Sequence, residues 1–288
     1  MKKFLTMVLV LVLALSCITG LVSCGKTGSK NVKVVDIALS EELYAFAISK
    51  DNADLLAKTN EYLAKITADG TFDAICDKYF GNGTPTKVAS AVKDESKDQL
   101  VVATSTGFEP FEMKDENGLY YGIDLEIAAG LAEYLGKELV IEDMQFASVV
   151  TSVQNNICDI GMAGLTITPA RLEMVTFSDS YYNAAQMLIV MEDDTTFDNC
   201  KTVEDVVAIL DKLTADAKIG CQNGTTGETY IDGDLDLGDD GYGFKGIPAT
   251  KKAYDYAALA VTAMINGEID YVILDNAPAN AIAKSVNK

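Results

Sequence analysis

Histidine is absent from this 288-residue chain, and so is tryptophan. Without an imidazole there is no Ser-His-Asp or Cys-His nucleophile system and no histidine ligand for a metal. Arginine is nearly absent: of 23 basic residues only Arg171 is one, so a bidentate fork for a buried carboxylate or phosphate has a single possible source. Positive charge is scarce overall, with 43 acidic residues and a formal charge of −20. That balance excludes sequence-blind nucleic-acid binding, which needs a basic surface to displace counterions. What is present is a chain 49% apolar, long enough for one or two domains with a sizeable core.

Long apolar runs are confined to the start. Met1-Lys2-Lys3 precede an apolar stretch over 4–15, and Leu21-Val22-Ser23-Cys24 follows before Gly25. Two lysines, a short apolar core and small residues before a break form a secretory signal pattern. The competing reading is a membrane anchor, since 4–22 is just long enough to span. Leu21-Val22-Ser23-Cys24 resembles a bacterial lipobox, which favours a lipoprotein signal over 1–23, with Cys24 lipidated as the mature N-terminus. Residues 24–31 are then a flexible tether. The protein is accordingly expected on the extracellular face of a bacterial cytoplasmic membrane, held there by lipid. Cys76, Cys158, Cys200 and Cys221 show no Cys-x-x-Cys spacing, so inert thiols and bridges both stay open.

From residue 100, short β-rich runs alternate with helical periods. Strands are expected at 100–104, 138–141, 158–162, 218–222 and 269–274. Helices are expected from a capping Asp124 to Gly136, at 147–155, from Thr168-Pro169 onward, and at 202–213, 251–265 and 277–285. Strands separated in this way imply parallel sheets with crossover helices, here in two α/β lobes. The segment before residue 100 differs. Strand-like runs at 32–37 and 43–49 precede an amphipathic helix at 52–68, with Leu55, Leu56, Tyr62, Leu63 and Ile66 inward. A second helix at 71–80 stops at Gly81, and 81–98 has no apolar period and reads as a linker.

Several blocks resemble the bacterial solute-binding proteins that deliver polar amino acids to ABC importers, family 3. They are LVVATSTGFEPFE over 100–112, Tyr121-Gly122-Ile123-Asp124, AGLTITPAR over 163–171, FSDSYY over 177–182, Gly224-Thr225-Thr226-Gly227 and DYVILD over 270–275. The order departs from the family. LYAFAISK over 43–50 and GTFDAICDKYFG over 70–81 look like the family's C-terminal tail, placed here at the front. The resemblance therefore implies a circularly permuted Venus-flytrap fold, two-lobed α/β with two hinge strands. The linker would join the old termini; it reaches about 60 Å extended and averages roughly 24 Å if flexible. Intermolecular swapping of 32–80 and a duplicated tail are the alternatives. In the permuted arrangement 32–42 and 191–288 form lobe 2, and 43–80 with 99–190 form lobe 1 including the hinge strands near 43–49 and 183–190.

The resemblance also implies a site for a free amino acid, on one polypeptide acting as a monomer. Arg171, early in the helix begun by Thr168-Pro169, would pair with the ligand carboxylate, which the positive helix end also favours. Thr166 would add a hydroxyl and Gly164 an approachable carbonyl. Across the cleft, Thr225 and Thr226 would donate to the same carboxylate, and Asp275 at a strand end would take the ammonium. Phe108 and Phe146 would flank the side chain, with Ser105, Ala163 and Gln222 lining the rest. Ser105 stands where basic-amino-acid binders often carry Asp, which favours a neutral polar ligand such as glutamine or cystine. Glu109 and Glu112 are expected to face solvent.

Asp232-Gly233-Asp234-Leu235-Asp236 begins like a calcium loop, but the glycine falls late at Gly238 and the twelfth position is Gly243, so no metal is expected. No cofactor, catalytic residue or nucleic-acid partner is implied. The partners are the amino acid, an ABC permease and the membrane. The competing readings are an amino-acid sensor and a dehydratase-like enzyme on the same fold.

Overall fold

The computed structural model describes residues 30–81, 83–237 and 245–288. The signal over 1–23, the lipidation site Cys24 and most of the tether lie outside the described residues, as do Gly238 and Gly243. Among the described residues no helix is long and apolar enough to cross a membrane.

The chain starts with strands β1 (Val32–Val34), β2 (Glu42–Tyr44) and β3 (Ala47–Ile48), then helices α1 (Ala53–Ala68) and α2 (Thr71–Phe80). Strand β4 (Gln99–Thr104) and the hairpin of β5 (Met113–Lys114) and β6 (Tyr120–Tyr121) come next. They lead into α3 (Ile123–Leu135), β7 (Glu138–Asp143), α4 (Phe146–Gln154) and β8 (Ile160–Gly161). The short helix α5 (Pro169–Met174) is followed by β9 (Thr176–Phe177), β10 (Tyr182–Ala184) and β11 (Gln186–Met191). Then come α6 (Val203–Leu210), β12 (Lys218–Gln222), α7 (Thr226–Asp232) and β13 (Thr250–Tyr254). Helix α8 (Ala257–Ile265), β14 (Tyr271–Asp275) and α9 (Asn276–Val286) complete the chain.

Two five-stranded sheets result, ordered β7-β4-β8-β3-β9 in the first lobe and β1-β11-β14-β12-β13 in the second. Each is built around parallel pairs, β4 with β7 and β8, β12 with β13 and β14, which need the crossover helices seen in the pattern. Between the lobes run β2 and β10, paired antiparallel with Tyr44 opposite Tyr182. The two-lobed α/β fold with two crossing strands is as expected.

Residues 43–80 pack into the first lobe of their own chain. Strand β3 lies inside its sheet between β8 and β9, and Phe46 and Ile48 are fully buried, worth about 1.5–3 kcal/mol each. Asn52 caps α1 by accepting from the Leu55 N–H at 3.1 Å, and Leu55, Tyr62, Leu63 and Ile66 turn into the core. Strand β1 instead edges the second sheet, with Val32 opposite Met191. Val32 N donates to Asn287 Oδ1 at 2.9 Å and Asn287 Nδ2 to the Val32 carbonyl at 2.7 Å, so the two ends of the described chain meet in the second lobe.

Four expectations are corrected. Residues 251–265 are not one helix: Thr250–Tyr254 is an edge strand parallel to β12, because ladder pairing outweighs the helical look of its own residues. Asp124 does not cap α3. Gly122 holds that position, and the buried Asp124 accepts from the Gly164 N–H at 2.9 Å and the Tyr181 hydroxyl at 2.6 Å. The second crossing ends earlier than 190, since β11 already belongs to the second sheet. Finally, the linker is a fixed strap. Val88 exchanges backbone hydrogen bonds with Tyr120, Ser90 Oγ accepts from Ile141 N, and Ala91 N donates to Leu139. All four cysteines from Cys76 to Cys221 are free.

Candidate functional site

The local sequence explains where each candidate side chain stands. Thr168 accepts from the Arg171 N–H at 3.2 Å and Pro169 occupies the first turn, so α5 begins where Arg171 can turn back over its own cap. Gly164 takes φ +53°, and a side chain there would run into Phe108 and Tyr44. Ser105 follows β4, Phe108 sits on the loop after it, and Phe146 opens α4. Across the cleft, Gln222 ends β12, Thr225 caps α7, Thr226 begins it and Asp275 ends β14. Apart from Pro169 and Arg171, which are half-buried, these residues are buried along with Ala163 and Thr166.

The structure brings the two halves together. Arg171 Nη1 donates to the Thr166 carbonyl at 2.7 Å in its own lobe, and Nη2 to the Gly224 carbonyl at 3.2 Å in the other. Its guanidinium lies 5.4 Å from the Phe146 ring centre. No ion pair among the described residues uses it, so it is not the surface salt-bridge arginine that chance would suggest. Burial lowers its pKa, opposed by the charges of Glu42 and Asp275. Gly224, at φ +78°, lies so close to Ala147 that an added Cβ would stand 2.9 Å from the Ala147 Cα.

Asp275 accepts from the Tyr44 hydroxyl at 2.6 Å and does not cap α9 with its side chain. Burial, then repulsion from Glu42, pushes its pKa up to about 7. The hydroxyls expected to serve the ligand carboxylate are engaged elsewhere. Thr225 Oγ1 donates to the Gln222 carbonyl at 2.7 Å, while Thr166 and Thr226 both donate to Glu42. Gln222 Nε2 donates to the Asp255 carbonyl at 3.3 Å.

Sequence reasoning missed four buried groups here: Glu42, Tyr44, Asp124 and Glu112. Glu109 is exposed as expected, but Glu112 is completely buried, with neither carboxyl oxygen hydrogen-bonded. Burial raises its pKa well above the ordinary carboxylate range, and Asp124, Asp275 and Asp143 raise it further. Asp124 is likewise pushed by burial to about 7. A signal for Glu42 was legible, because a charge between Ser40 and the apolar run of β3 has to find partners once that strand is buried. Among the described residues no cluster of His, Cys, Asp or Glu could hold a metal.

Paired α/β lobes, joined by two crossing strands and apposed over a half-buried cation and a buried carboxyl, define a two-lobed binding protein. Residues 100–228 match the bacterial extracellular solute-binding proteins, family 3, and the chain belongs to that family. Arginine-binding extracellular protein ArtP of Bacillus subtilis is 36% identical over 100 residues, 35% of this chain and 39% of ArtP. Among solved structures, an ancestral arginine-binding protein bound to arginine aligns with TM-score 0.55 at 30% identity, over 67% of this chain and 76% of that one. The ancestral amino acid-binding protein AncCDT-1, a precursor of cyclohexadienyl dehydratase, aligns with TM-score 0.55 at 30% identity, over 65% and 74%. The chain spans about half the length of the curated relatives it matches.

Proposed function

We propose that the protein is a receptor that captures a free amino acid between its lobes and hands it to an ABC importer. The observation carrying this reading is the pair Arg171 and Asp275, opposite in charge when ionised and placed on opposite lobes of one buried cleft. A zwitterion supplies a carboxylate to the first and an ammonium to the second, so it favours the apposed lobes by contacts the open form cannot make. Phe108 and Phe146 flank the side chain, and Ser105, Ala163, Gly164, Thr166, Gln222, Thr225 and Thr226 complete the lining. Neutral Ser105 and Gln222 suit glutamine or cystine; the relatives named for arginine make arginine the direct competitor.

The protein acts as a monomer, lipid-anchored through Cys24 outside the cytoplasmic membrane. Its order is a circular permutation, a reading supported by the contact of Val32 with Asn287 and by alignments that leave about a quarter of each solved relative unmatched. Titration calorimetry against the twenty amino acids and cystine tests the main claim and suits a chain without tryptophan. Binding of one or a few at micromolar or tighter affinity supports it, and silence from folded protein overturns it. Stimulation of importer ATPase separates carrier from sensor, and turnover of the ligand would reveal a dehydratase-like enzyme. Cys24→Ala releases the protein from membranes if the anchor reading is right.

A further inference from the structure

Helix α8 starts without a side-chain cap. Tyr256 holds its N-cap position, where serine, threonine, asparagine or aspartate would accept from the free N–H groups of the first turn, and makes no such bond. It is also 43% exposed, so neither capping nor burial accounts for an aromatic ring there. A local rule broken without local gain marks a functional position. The ring faces the other lobe. A Cβ built on Gly107 would stand 3.6 Å from Tyr256 Cδ1, an ordinary van der Waals contact across the cleft.

Both sides of that contact border the lining of the cleft. Gly107 lies between Ser105 and Phe108, on an anchored loop: Thr106 N and Oγ1 donate to the Asp143 carboxylate at 3.0 and 2.8 Å, and Gly107 N to the Glu112 carbonyl at 2.9 Å. Gly107 itself has φ +104°, where a side chain would be strained, so its side of the gap stays bare. On the second lobe, Gln222 Nε2 donates to the carbonyl of Asp255, the residue before Tyr256. Ser105 is 2% exposed, its hydroxyl oxygen buried and unpartnered, so the apposed lobes already shut water out of this end.

We propose that Tyr256 is the end wall of the side-chain pocket and sets the longest side chain that the closed cleft accepts. This rests on the amino-acid reading above. Phe108 and Phe146 flank the side chain, and Tyr256 meets its tip. The wall is complete only when the lobes meet, because Tyr256 belongs to the second and Gly107 to the first. A longer side chain must push the ring aside or hold the lobes apart, and either loss falls on the bound state.

The test uses pairs that differ in side-chain length alone: L-glutamine with L-homoglutamine, L-arginine with L-homoarginine, and L-cystine with L-homocystine. Affinities are measured by calorimetry for the full protein, Tyr256→Ser and Tyr256→Phe, with melting followed by circular dichroism. In the pair that wild type binds, the longer member is expected to bind roughly 10- to 200-fold more weakly, the range for one methylene in a closed pocket. Tyr256→Ser should cut that gap to less than about threefold. It should melt no lower than wild type, because serine supplies the missing cap. Tyr256→Asn, another capping residue, serves if the serine variant does not fold. Tyr256→Phe keeps the ring and should keep the wild-type gap. A wild type that binds the longer member as well as the shorter overturns the proposal. So does a ring-free variant that weakens both members equally, since the ring would then be a closing contact and no measure of length, or one that leaves the gap intact. Binding of none of the six overturns the proposal as well, and the titration against the twenty amino acids shows whether the amino-acid reading falls with it.

Discussion

Replacing Arg171 by alanine is expected to abolish ligand binding and leave the protein folded. The guanidinium gives one N–H to the Thr166 carbonyl and one to the Gly224 carbonyl, leaving three of its five for a ligand carboxylate. Stripping one partner from a desolvated charge pair costs about 3–5 kcal/mol, roughly 150- to 5,000-fold in affinity. Folding feels far less. Two carbonyls lose a donor at about 1 kcal/mol each, offset by relief from holding a cation away from water with no ion-pair partner among the described residues. A net change within about 2 kcal/mol shifts the melting temperature by no more than about 8 °C for a chain of this size. Calorimetric titration gives the affinity and circular dichroism the melting point. A folded variant that binds as tightly as wild type would remove Arg171 from the site. A variant that simply unfolds would show that the guanidinium is a structural staple between lobes.

Gly224→Ala places a Cβ against the Ala147 backbone of the other lobe at a left-handed φ, so the lobes cannot fully meet. Affinity should drop roughly 5- to 100-fold with little loss of thermal stability, and unchanged affinity would contradict the closed contact. Asp124 and Asp275 have folded pKa values raised from 3.8 to about 7, so the folded chain holds protons that the unfolded chain has released. Their stabilising contribution is complete below about pH 4 and is lost as pH rises through about 7; urea midpoints should therefore be higher at pH 5 than at pH 8, and Asp124→Asn should flatten the slope. A midpoint that rises over that interval would refute the assignment. Moving residues 32–80 behind Asn287 should give a folded protein of unchanged affinity, read by the same calorimetry, because Val32 and Asn287 already touch. A chain so reordered that fails to fold would count against permutation.

The parts of the molecule legible in sequence are those decided locally. Thr168, Pro169 and Arg171 carry their cap and first turn within four residues, and β12 runs over 218–222 as its apolar pattern predicts. Asp275 was read at the end of an apolar strand, and that strand does end there. The missed features are decided by remote partners. Glu42 takes one donor from nearby Ser40, but the others come from Thr166, Gln186 and Thr226, more than a hundred residues away, and the sequence around it shows only that a charge there needs partners, not which ones. Glu112 looked like a loop acid because the loop's folding back through Phe108 and Phe111 is not written in its neighbours. The strand at Thr250–Tyr254 is made by its parallel partner rather than by its own residues.

The route of the chain through the crossing strands also sets an order of events in time. The first lobe is one unbroken stretch between β2 and β10, whereas the second is split around it. As the chain emerges, everything the first lobe needs is present before β12, β13 or β14 has been made. Strand β1, among the earliest described residues, must wait for β11, whose Met191 lies opposite Val32. At usual synthesis rates that wait is roughly 10–30 s. The first lobe therefore has time to mature as a finished unit while the second is still a fragment with an unpaired edge.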